Sequence, residues 1–240
     1  MIDHKHTFVS SNLYKDYEIC YECGSYHSTA QVDPVTLYCG DYWSNENGRS
    51  TLEEQIYNIT EELTCGISKV DKIINFVPYG TDSVLEIGCA PGVLLKNLNK
   101  CGYKTYGIEP NKKYIPFIEN QCVEAVIWDG FFPNNVPFWN HSFNKNIQFD
   151  CIIGMDILEH IDDYDVFING VKNRLSDRGT AIFMVPIICE DGLYRERDMK
   201  ADEHCWIFTK KFIEPYLKSI FSEVLFDRWV VGHDIIICKK

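Results

Sequence analysis

The stretch 84-VLEIGCAPGVLL-95 joins two kinds of secondary structure through a glycine-rich turn. An apolar run that contains Glu86 is typical of a buried strand, and the residues after Gly92 are typical of a helix. Glycines at such a turn let a ligand approach the backbone, and the start of the helix offers N–H donors. The stretch therefore predicts a strand, a ligand-binding turn and a helix.

Apolar segments alternate with amphipathic ones on the carboxyl side of this turn. Strands are predicted at YKTYGIE, VEAVIW, FDCIIGMD and GTAIFMVP, and helices at NKKYIPFIENQ, YDVFINGVKNRL and TKKFIEPYLKSIF. The alternation predicts a parallel sheet covered by helices on both faces. EVLFDRWVV and HDIIICK, joined through Gly232, should form an antiparallel hairpin. We expect an α/β, Rossmann-like, seven-stranded and mostly parallel sheet with a C-terminal hairpin and a small N-terminal extension.

The amino side of the turn divides into two further segments. Residues 51–80 include TLEEQIYNITEELTCGISKVDKII, whose apolar residues recur at helical spacing, and Thr51 with Glu54 resembles a capping box. Residues 1–50 are polar and aromatic with little periodicity. We therefore expect an N-terminal extension or lid over 1–50, lead-in helices over 51–80 and the main domain over 81–240.

Composition limits the classes of function. The net charge of −12 argues against binding to a nucleic acid backbone, which requires clustered Lys and Arg. No apolar run is long enough to span a membrane, and the N-terminus lacks the apolar core of a signal peptide. The 11 cysteines are scattered and several lie in apolar runs, which favours reduced thiols in a cytoplasmic protein. The oligomeric state stays open.

Acids follow the next two predicted strands. Glu109 ends YKTYGIE, and Asp129 follows AVIW. An acid in the position of Glu109 can accept hydrogen bonds from ribose hydroxyls. That layout would also suit NAD, but the motif here is E-x-G-x-A-x-G and not G-x-G-x-x-G, and it lies behind an N-terminal extension.

The order of these motifs over residues 82–240 resembles that of class I S-adenosylmethionine-dependent methyltransferases. The resemblance implies S-adenosylmethionine as the cofactor and a cofactor site made of Glu86, Gly88, Cys89, Ala90, Gly92, Glu109, Asp129 and Asp156. The glycine turn would line the amino-acid moiety, Glu109 would bind the ribose and Asp129 would contact adenine. Ala90 stands where the family usually has a third glycine.

The segment 154-GMDILEHIDD-163 follows the strand FDCII and should lie at the edge of the sheet where ligands bind. As a helical turn, it would place Asp156, Glu159 and His160 on one face and Ile157, Leu158 and Ile161 on the other. The polar face could supply a general base, His160 or Asp156, for the acceptor hydroxyl.

The same polar face could instead hold a divalent metal ion, Mg²⁺ or Mn²⁺. The pattern D-x-x-E-H resembles the E-x-x-E-H of ubiquinone-biosynthesis O-methyltransferases and of small-RNA 2′-O-methyltransferases. That resemblance implies a metal site of Asp156, Glu159, His160 and His204, with His204 also a candidate catalytic residue. A third interpretation leaves these side chains with a structural role only.

Four more residues are candidates for acceptor binding. Arg195 and Arg197 lie in the charged loop before His204 and could contact phosphates, whereas Tyr42 and Trp43 could cover the cofactor or the acceptor. The segment CYECGSYH followed by YCG and GDYWS resembles a reduced N-terminal module of deoxysugar methyltransferases. One C-x₂-C with loose partners at His27 and Cys39 is a weak zinc pattern, so zinc at Cys20 and Cys23 is not expected.

The favoured function is an S-adenosylmethionine-dependent O-methyltransferase acting on a sugar hydroxyl, in a nucleotide sugar or a glycan building block. One alternative is a catechol or quinol O-methyltransferase with an apolar acceptor pocket. Another is an RNA-terminal 2′-O-methyltransferase, against which the charge of −12 argues. A non-enzymatic alternative is an S-adenosylmethionine-binding regulatory module.

Overall fold

A computed structural model describes residues 5–30, 33–39, 51–66, 68–133, 147–188, 198–230 and 232–240. The strands are β1 (Phe8–Ser10), β2 (Tyr17–Cys20), β3 (Tyr26–Ser28), β4 (Ser83–Ile87), β5 (Lys104–Glu109), β6 (Val126–Asp129), β7 (Phe149–Met155), β8 (Leu175–Ile188), β9 (Trp206–Thr209), β10 (Glu223–Val230) and β11 (His233–Lys239). The helices are α1 (Pro34–Cys39), α2 (Leu52–Thr64), α3 (Lys69–Ile74), α4 (Val93–Lys100), α5 (Ile115–Gln121), α6 (Tyr164–Arg174) and α7 (Lys210–Ile220). A 3₁₀ turn covers Leu158–His160.

The chain divides into two compact units. The glycine-loop unit comprises Asp33–Ile153 and Arg174–Ser176. Its strands follow the order β7-β4-β5-β6. β4 pairs with β5 and β5 with β6 in parallel, and the second register sets Glu109 opposite Asp129. The glycine turn and both predicted acids therefore lie at the carboxyl ends of three neighbouring strands, where α/β sheets bind ligands.

The histidine unit comprises Met1–Val32, Gly154–Asn173 and Asp177–Lys240. β11 pairs antiparallel with both β10 and β8, which confirms the predicted C-terminal hairpin. β9 runs parallel to β8, and β3, β2 and β1 follow in antiparallel order. The long strand β8 is buried at nearly every position and forms the core of this unit.

Most predicted elements are present, but four strands were missed. β1, β2, β3 and β9 contain only three or four residues each. So few residues cannot display an alternating pattern, and β3 finds its partner β9 almost at the other end of the chain. The N-terminal residues thus belong to the sheet of the histidine unit, and their predicted function as a lid stays a prediction.

The lead-in helix α2 begins as predicted. The Thr51 hydroxyl accepts from the Glu54 N–H at 3.2 Å, and the Glu54 carboxylate accepts from the Thr51 N–H at 2.8 Å. This reciprocal pair is a capping box. No helix among the described residues is long and apolar enough to cross a membrane.

Candidate functional site

The glycine turn has the backbone geometry that its sequence predicts. Gly88 has a φ of 70° and Gly92, at the start of α4, a φ of 91°, both in the left-handed region that glycine tolerates. The N–H groups of Gly88 and Cys89 both donate to the Ile108 carbonyl, at 2.9 and 3.2 Å. The turn is therefore tied to β5, and the helix that follows presents its first N–H groups beside it.

Cys89 lies at a point of very close packing under the turn. Its side chain is 1% exposed and packs in a cluster with Ile56, Leu95 and Ile118. A Cβ atom placed on Gly107 of β5 would lie 2.6 Å from the Cys89 sulfur and 2.9 Å from Leu95 Cδ1. Only glycine at position 107 leaves room for this thiol.

Glu109 is a buried carboxyl that connects two loops. It accepts from the Ala90 N–H at 3.1 Å and from the Asn111 N–H at 2.8 Å, one bond to each oxygen. Burial raises its pKa to about 7, although the two hydrogen bonds oppose that rise. A carboxylate has about four lone-pair sites, so Glu109 retains acceptor capacity for hydroxyl groups.

Glu86 is a second buried acid in the same unit. It is 3% exposed, and its Oε2 has no hydrogen-bond partner among the described residues. Burial raises its pKa well above the ordinary range, and the charge of Glu109 raises it further. Two buried carboxyls beside a glycine turn are costly for stability, which is common at ligand-binding sites.

Asp129 is the outermost of the three acids. Lys112 contacts it at 2.8 Å, and this contact is the largest cause of its lowered pKa. The side chain of Asp129 is 41% exposed and that of Lys112 is 78% exposed. Asp129 therefore stays ionised at neutral pH and can accept hydrogen bonds.

The prediction that Asp156 begins a helical turn is wrong. Asp156 has a φ of 52°, in the left-handed region, and its N–H donates to the Met184 carbonyl at 2.8 Å. Its carboxylate accepts from Nε2 of His233 at 2.7 Å. The predicted separation into polar and apolar faces also fails, because Leu158 and Glu159 are both buried. A residue other than glycine in this region is uncommon, and such residues cluster at functional sites.

The structure brings together three of the four predicted metal ligands. The ligand atoms of Glu159, His160 and His204 all lie within 4.8 Å of one another. The imidazole rings of His160 and His204 have centroids 4.6 Å apart, and His160 Nε2 lies 4.0 Å from Glu159 Oε1. Asp156 is not part of this group and contacts His233 instead. A group of one carboxylate and two imidazoles can hold a divalent metal ion.

Backbone carbonyls orient both imidazoles in the same way. His160 Nδ1 lies 2.8 Å from the Glu203 carbonyl, and His204 Nδ1 lies 2.7 Å from the Asp198 carbonyl. A carbonyl can only accept, so each Nδ1 carries the proton and each Nε2 presents a lone pair. Burial is the first cause that lowers the pKa of each histidine to about 4, so both rings are neutral at neutral pH. This arrangement is the usual preparation of histidine for metal binding.

The predicted acceptor-binding residues Tyr42, Trp43, Arg195 and Arg197 lie outside the described residues. The neighbouring Lys200 is described and forms an ion pair with Glu203 at 3.1 Å.

His233 is the residue that sequence reasoning missed. It is 2% exposed and opens β11, and its contact with Asp156 gives it chemical interest. The carbonyls of Asp198 and Glu203 were also missed, because a sequence does not show which main-chain carbonyls accept hydrogen bonds from side chains. The histidine at the start of the largely apolar HDIIICK was an available signal.

Comparison with known proteins identifies the family of the chain. A family model described as a methyltransferase domain matches residues 58–220. The ubiquinone biosynthesis O-methyltransferase of Psychrobacter arcticus is 21% identical over 159 residues, which cover 64% of this chain and 62% of that protein. The chain therefore spans about three fifths of the length of this curated relative.

Solved structures establish the fold. The structure of PigF with SAH gives a TM-score of 0.59 at 11% identity and covers 78% of this chain and 59% of that one. An S-adenosylmethionine-dependent methyltransferase from Thermotoga maritima gives a TM-score of 0.56 at 15% identity, covering 83% and 99%. The predicted α/β fold is confirmed. The predicted resemblance to S-adenosylmethionine-dependent methyltransferases is confirmed as well. The chain belongs to the class I S-adenosylmethionine-dependent methyltransferases.

Proposed function

We propose that the protein transfers the methyl group of S-adenosylmethionine to a hydroxyl group of a small molecule, and that a phenolic acceptor of the catechol or quinol type is favoured. The family match and the O-methyltransferase relative support the reaction. The relatives are named ubiquinone biosynthesis O-methyltransferases, and this name favours the catechol and quinol alternative. Nothing in the comparisons supports the sugar acceptor that the sequence favoured.

The glycine-loop unit supplies the residues for the cofactor. S-adenosylmethionine would bring the electrophilic methyl group. Gly88, Cys89, Ala90 and Gly92 would contact its amino-acid moiety through the backbone, which the positive φ of Gly88 and Gly92 shapes. Glu109, whose carboxylate accepts from two backbone N–H groups, would also accept hydrogen bonds from the ribose hydroxyls. Asp129 would contact the adenine end.

The observation that carries an O-directed reaction is the group of Glu159, His160 and His204. Two imidazole lone pairs and one carboxylate would hold a divalent cation, which would lower the pKa of an acceptor hydroxyl bound to it. Imidazole nitrogen is a ligand for first-row transition metals, and of the two ions expected from the sequence only Mn²⁺ is a transition metal, so the ligands favour Mn²⁺ over Mg²⁺. Asp156, fixed by His233, would orient the acceptor or the cofactor.

A methyl-transfer assay with S-adenosylmethionine tests the proposal. Catechols and quinols, nucleotide sugars and short RNAs would each be incubated with the chain, with and without Mn²⁺, and products detected by mass spectrometry. We expect methylated catechols or quinols and loss of the activity in EDTA, restored by Mn²⁺. Methylation of sugars or RNA alone would overturn the acceptor class, and full activity in EDTA would overturn the metal.

Variants locate the reaction. His160→Gln and His204→Gln should lower kcat by about 100-fold or more through weaker metal binding. His27→Gln is the matched control, because His27 contacts Glu18 and Asp162 instead of the metal-binding group. Equal losses in all three variants would contradict a specific role for His160 and His204.

A further inference from the structure

The turn between β2 and β3 presents two cysteines on a fixed loop. Cys20 is the last residue of β2, and Cys23 follows three residues later. The Gly24 N–H donates to the Cys20 carbonyl and the Cys20 N–H to the Ser25 carbonyl, both at 2.8 Å. Gly24 has a φ of 77°, which a residue with a side chain rarely adopts. The C-x₂-C-G sequence therefore closes into a tight loop whose two thiols are buried.

β1 brings a histidine to the same place. The pairing of β1 with β2 sets Phe8 opposite Cys20, and the Tyr21 N–H donates to the Thr7 carbonyl at 2.9 Å. His6 continues this edge, and its Nδ1 lies 3.6 Å from the Cys23 sulfur. One ligand atom from each of His6, Cys20 and Cys23 lies within 4.8 Å of the others.

We propose that His6, Cys20 and Cys23 form a binding site for a thiophilic divalent cation, with Zn²⁺ as the preferred ion. Zinc takes tetrahedral sets of sulfur and nitrogen ligands, and its bond lengths set a sulfur-to-nitrogen separation of about 3.6 Å across two ligands. The separation of Cys23 Sγ and His6 Nδ1 is 3.6 Å. Three protein ligands leave the fourth tetrahedral position to a water molecule or another external donor.

The surroundings hold His6 in the orientation that this site needs. His6 Nε2 lies 3.4 Å from the Tyr164 hydroxyl, so the nitrogen that faces away from the cysteines has its own partner. The imidazole also packs against the rings of Trp206 and Phe212, with centroids 5.2 and 4.5 Å away. A metal-binding histidine usually donates from its second nitrogen in this way, which fixes the tautomer.

Charge balance also favours a divalent cation here. Binding converts the two thiols to thiolates and releases two protons to solvent, and two thiolates with one divalent ion are neutral overall. A neutral group suits these buried surroundings better than isolated thiolates, because an unpaired charge is costly to bury.

The sequence contains only a weak zinc pattern, in which His27 and Cys39 were the expected partners of the C-x₂-C. His27 hydrogen-bonds Glu18 and Asp162 at 3.1 and 3.0 Å, and the Cys39 side chain lies outside the described residues. His6 is the nitrogen ligand instead of His27. It precedes the C-x₂-C in the chain, whereas the other ligands of the usual zinc patterns follow the C-x₂-C. The site would join β1 to the β2–β3 turn inside the histidine unit.

Metal analysis and cobalt substitution of the full chain test this proposal. The chain, purified without a metal-affinity tag, should contain zinc that the thiol reagent p-hydroxymercuriphenylsulfonate releases. Replacement by Co²⁺ should give a thiolate-to-cobalt charge-transfer band in the near ultraviolet. That band reports cysteine ligands and so does not respond to an ion at Glu159, His160 and His204. Absence of the band in the cobalt-loaded wild-type chain would overturn the proposal.

Variants make the assignment specific. Cys23→Ser should abolish the band, and His6→Gln, a change at a half-buried side chain, should weaken cobalt binding by about 10-fold or more. Cys65→Ser, at an exposed cysteine, and His27→Gln are matched controls and should keep the band. If Cys23→Ser fails to fold, His6→Gln still decides, because an unchanged cobalt affinity in His6→Gln would contradict the proposed ligand set. Methyl transfer is not used in either measurement, so failure here is distinct from failure of the proposed function.

Discussion

Gly107 and Cys89 show how a single atom can constrain the glycine turn. The Cys89 sulfur occupies the space that a Cβ on Gly107 would need, at 2.6 Å. Gly107→Ala should therefore force the thiol and the turn to shift and should destabilise the chain by about 1–3 kcal/mol. Urea unfolding measures the loss. The double variant with Cys89→Ala should recover part of it, and strictly additive effects would contradict this contact as the cause.

Glu109 makes the stability of the chain depend on pH. Burial holds its pKa at about 7 in the folded chain, against an ordinary value of 4.5, so the folded state binds more protons between these two pH values. The contribution of Glu109 to stability is therefore greatest below pH 4.5 and is lost as pH rises through 7.

We expect Glu109→Gln to remove this dependence. Relative to the wild type, the variant should gain about 3 kcal/mol between pH 4.5 and pH 8, because one pKa unit corresponds to about 1.4 kcal/mol. Loss of the Glu109 charge beside Glu86 acts in the same direction. Urea unfolding at both pH values measures the difference. Glu119→Gln, at an exposed position of α5, is the control, and an equal pH trend in both variants would contradict burial as the cause.

Helix α2 begins at the capping box of Thr51 and Glu54. Thr51→Ala should cost about 1 kcal/mol of unfolding free energy, because the Glu54 N–H loses its acceptor. Thr64→Ala, at the other end of the same helix, removes only an exposed hydroxyl that bonds to the Thr60 carbonyl and should change stability by less than about 0.5 kcal/mol. Chemical denaturation compares them, and equal costs would argue against the cap.

α2 also matters to the packing beneath the glycine turn. Its Ile56 belongs to the cluster that contains Cys89 and Leu95, and the Tyr114 hydroxyl donates to Gln55 at 3.0 Å. Helix α2 is therefore part of the core of the glycine-loop unit, and loss of its cap should destabilise that core.

The whole molecule should be stabilised by its cofactor. A ligand present at 100 times its Kd adds about 2.7 kcal/mol to the unfolding free energy. For a chain of this size, each kcal/mol raises Tm by about 2–4 °C, so the expected rise is about 5–10 °C. Thermal unfolding with S-adenosylmethionine or S-adenosylhomocysteine measures it. NAD is the matched control, because the glycine turn resembles a dinucleotide site at first sight, and a larger shift with NAD would contradict the cofactor assignment.

The sequence by itself determined the class of fold and the position of the glycine turn within it. Strand, glycine turn and helix follow one another within twelve residues, so local periodicity and glycine chemistry were enough to predict them. Glu109 and Asp129 were predictable for the same reason, because each follows a strand whose carboxyl end must lie at the ligand-binding edge.

Only the tertiary structure decided which side chains meet. Asp156 binds His233 across 77 residues of sequence, whereas helical spacing had grouped it with Glu159 and His160. His6 joins Cys20 and Cys23 through strands of three and four residues, too short to leave a pattern. The carbonyls that set the tautomers of His160 and His204 have no sequence signature. Spacing along a chain predicts contacts inside one element, but contacts between elements depend on the register and packing that the whole chain adopts.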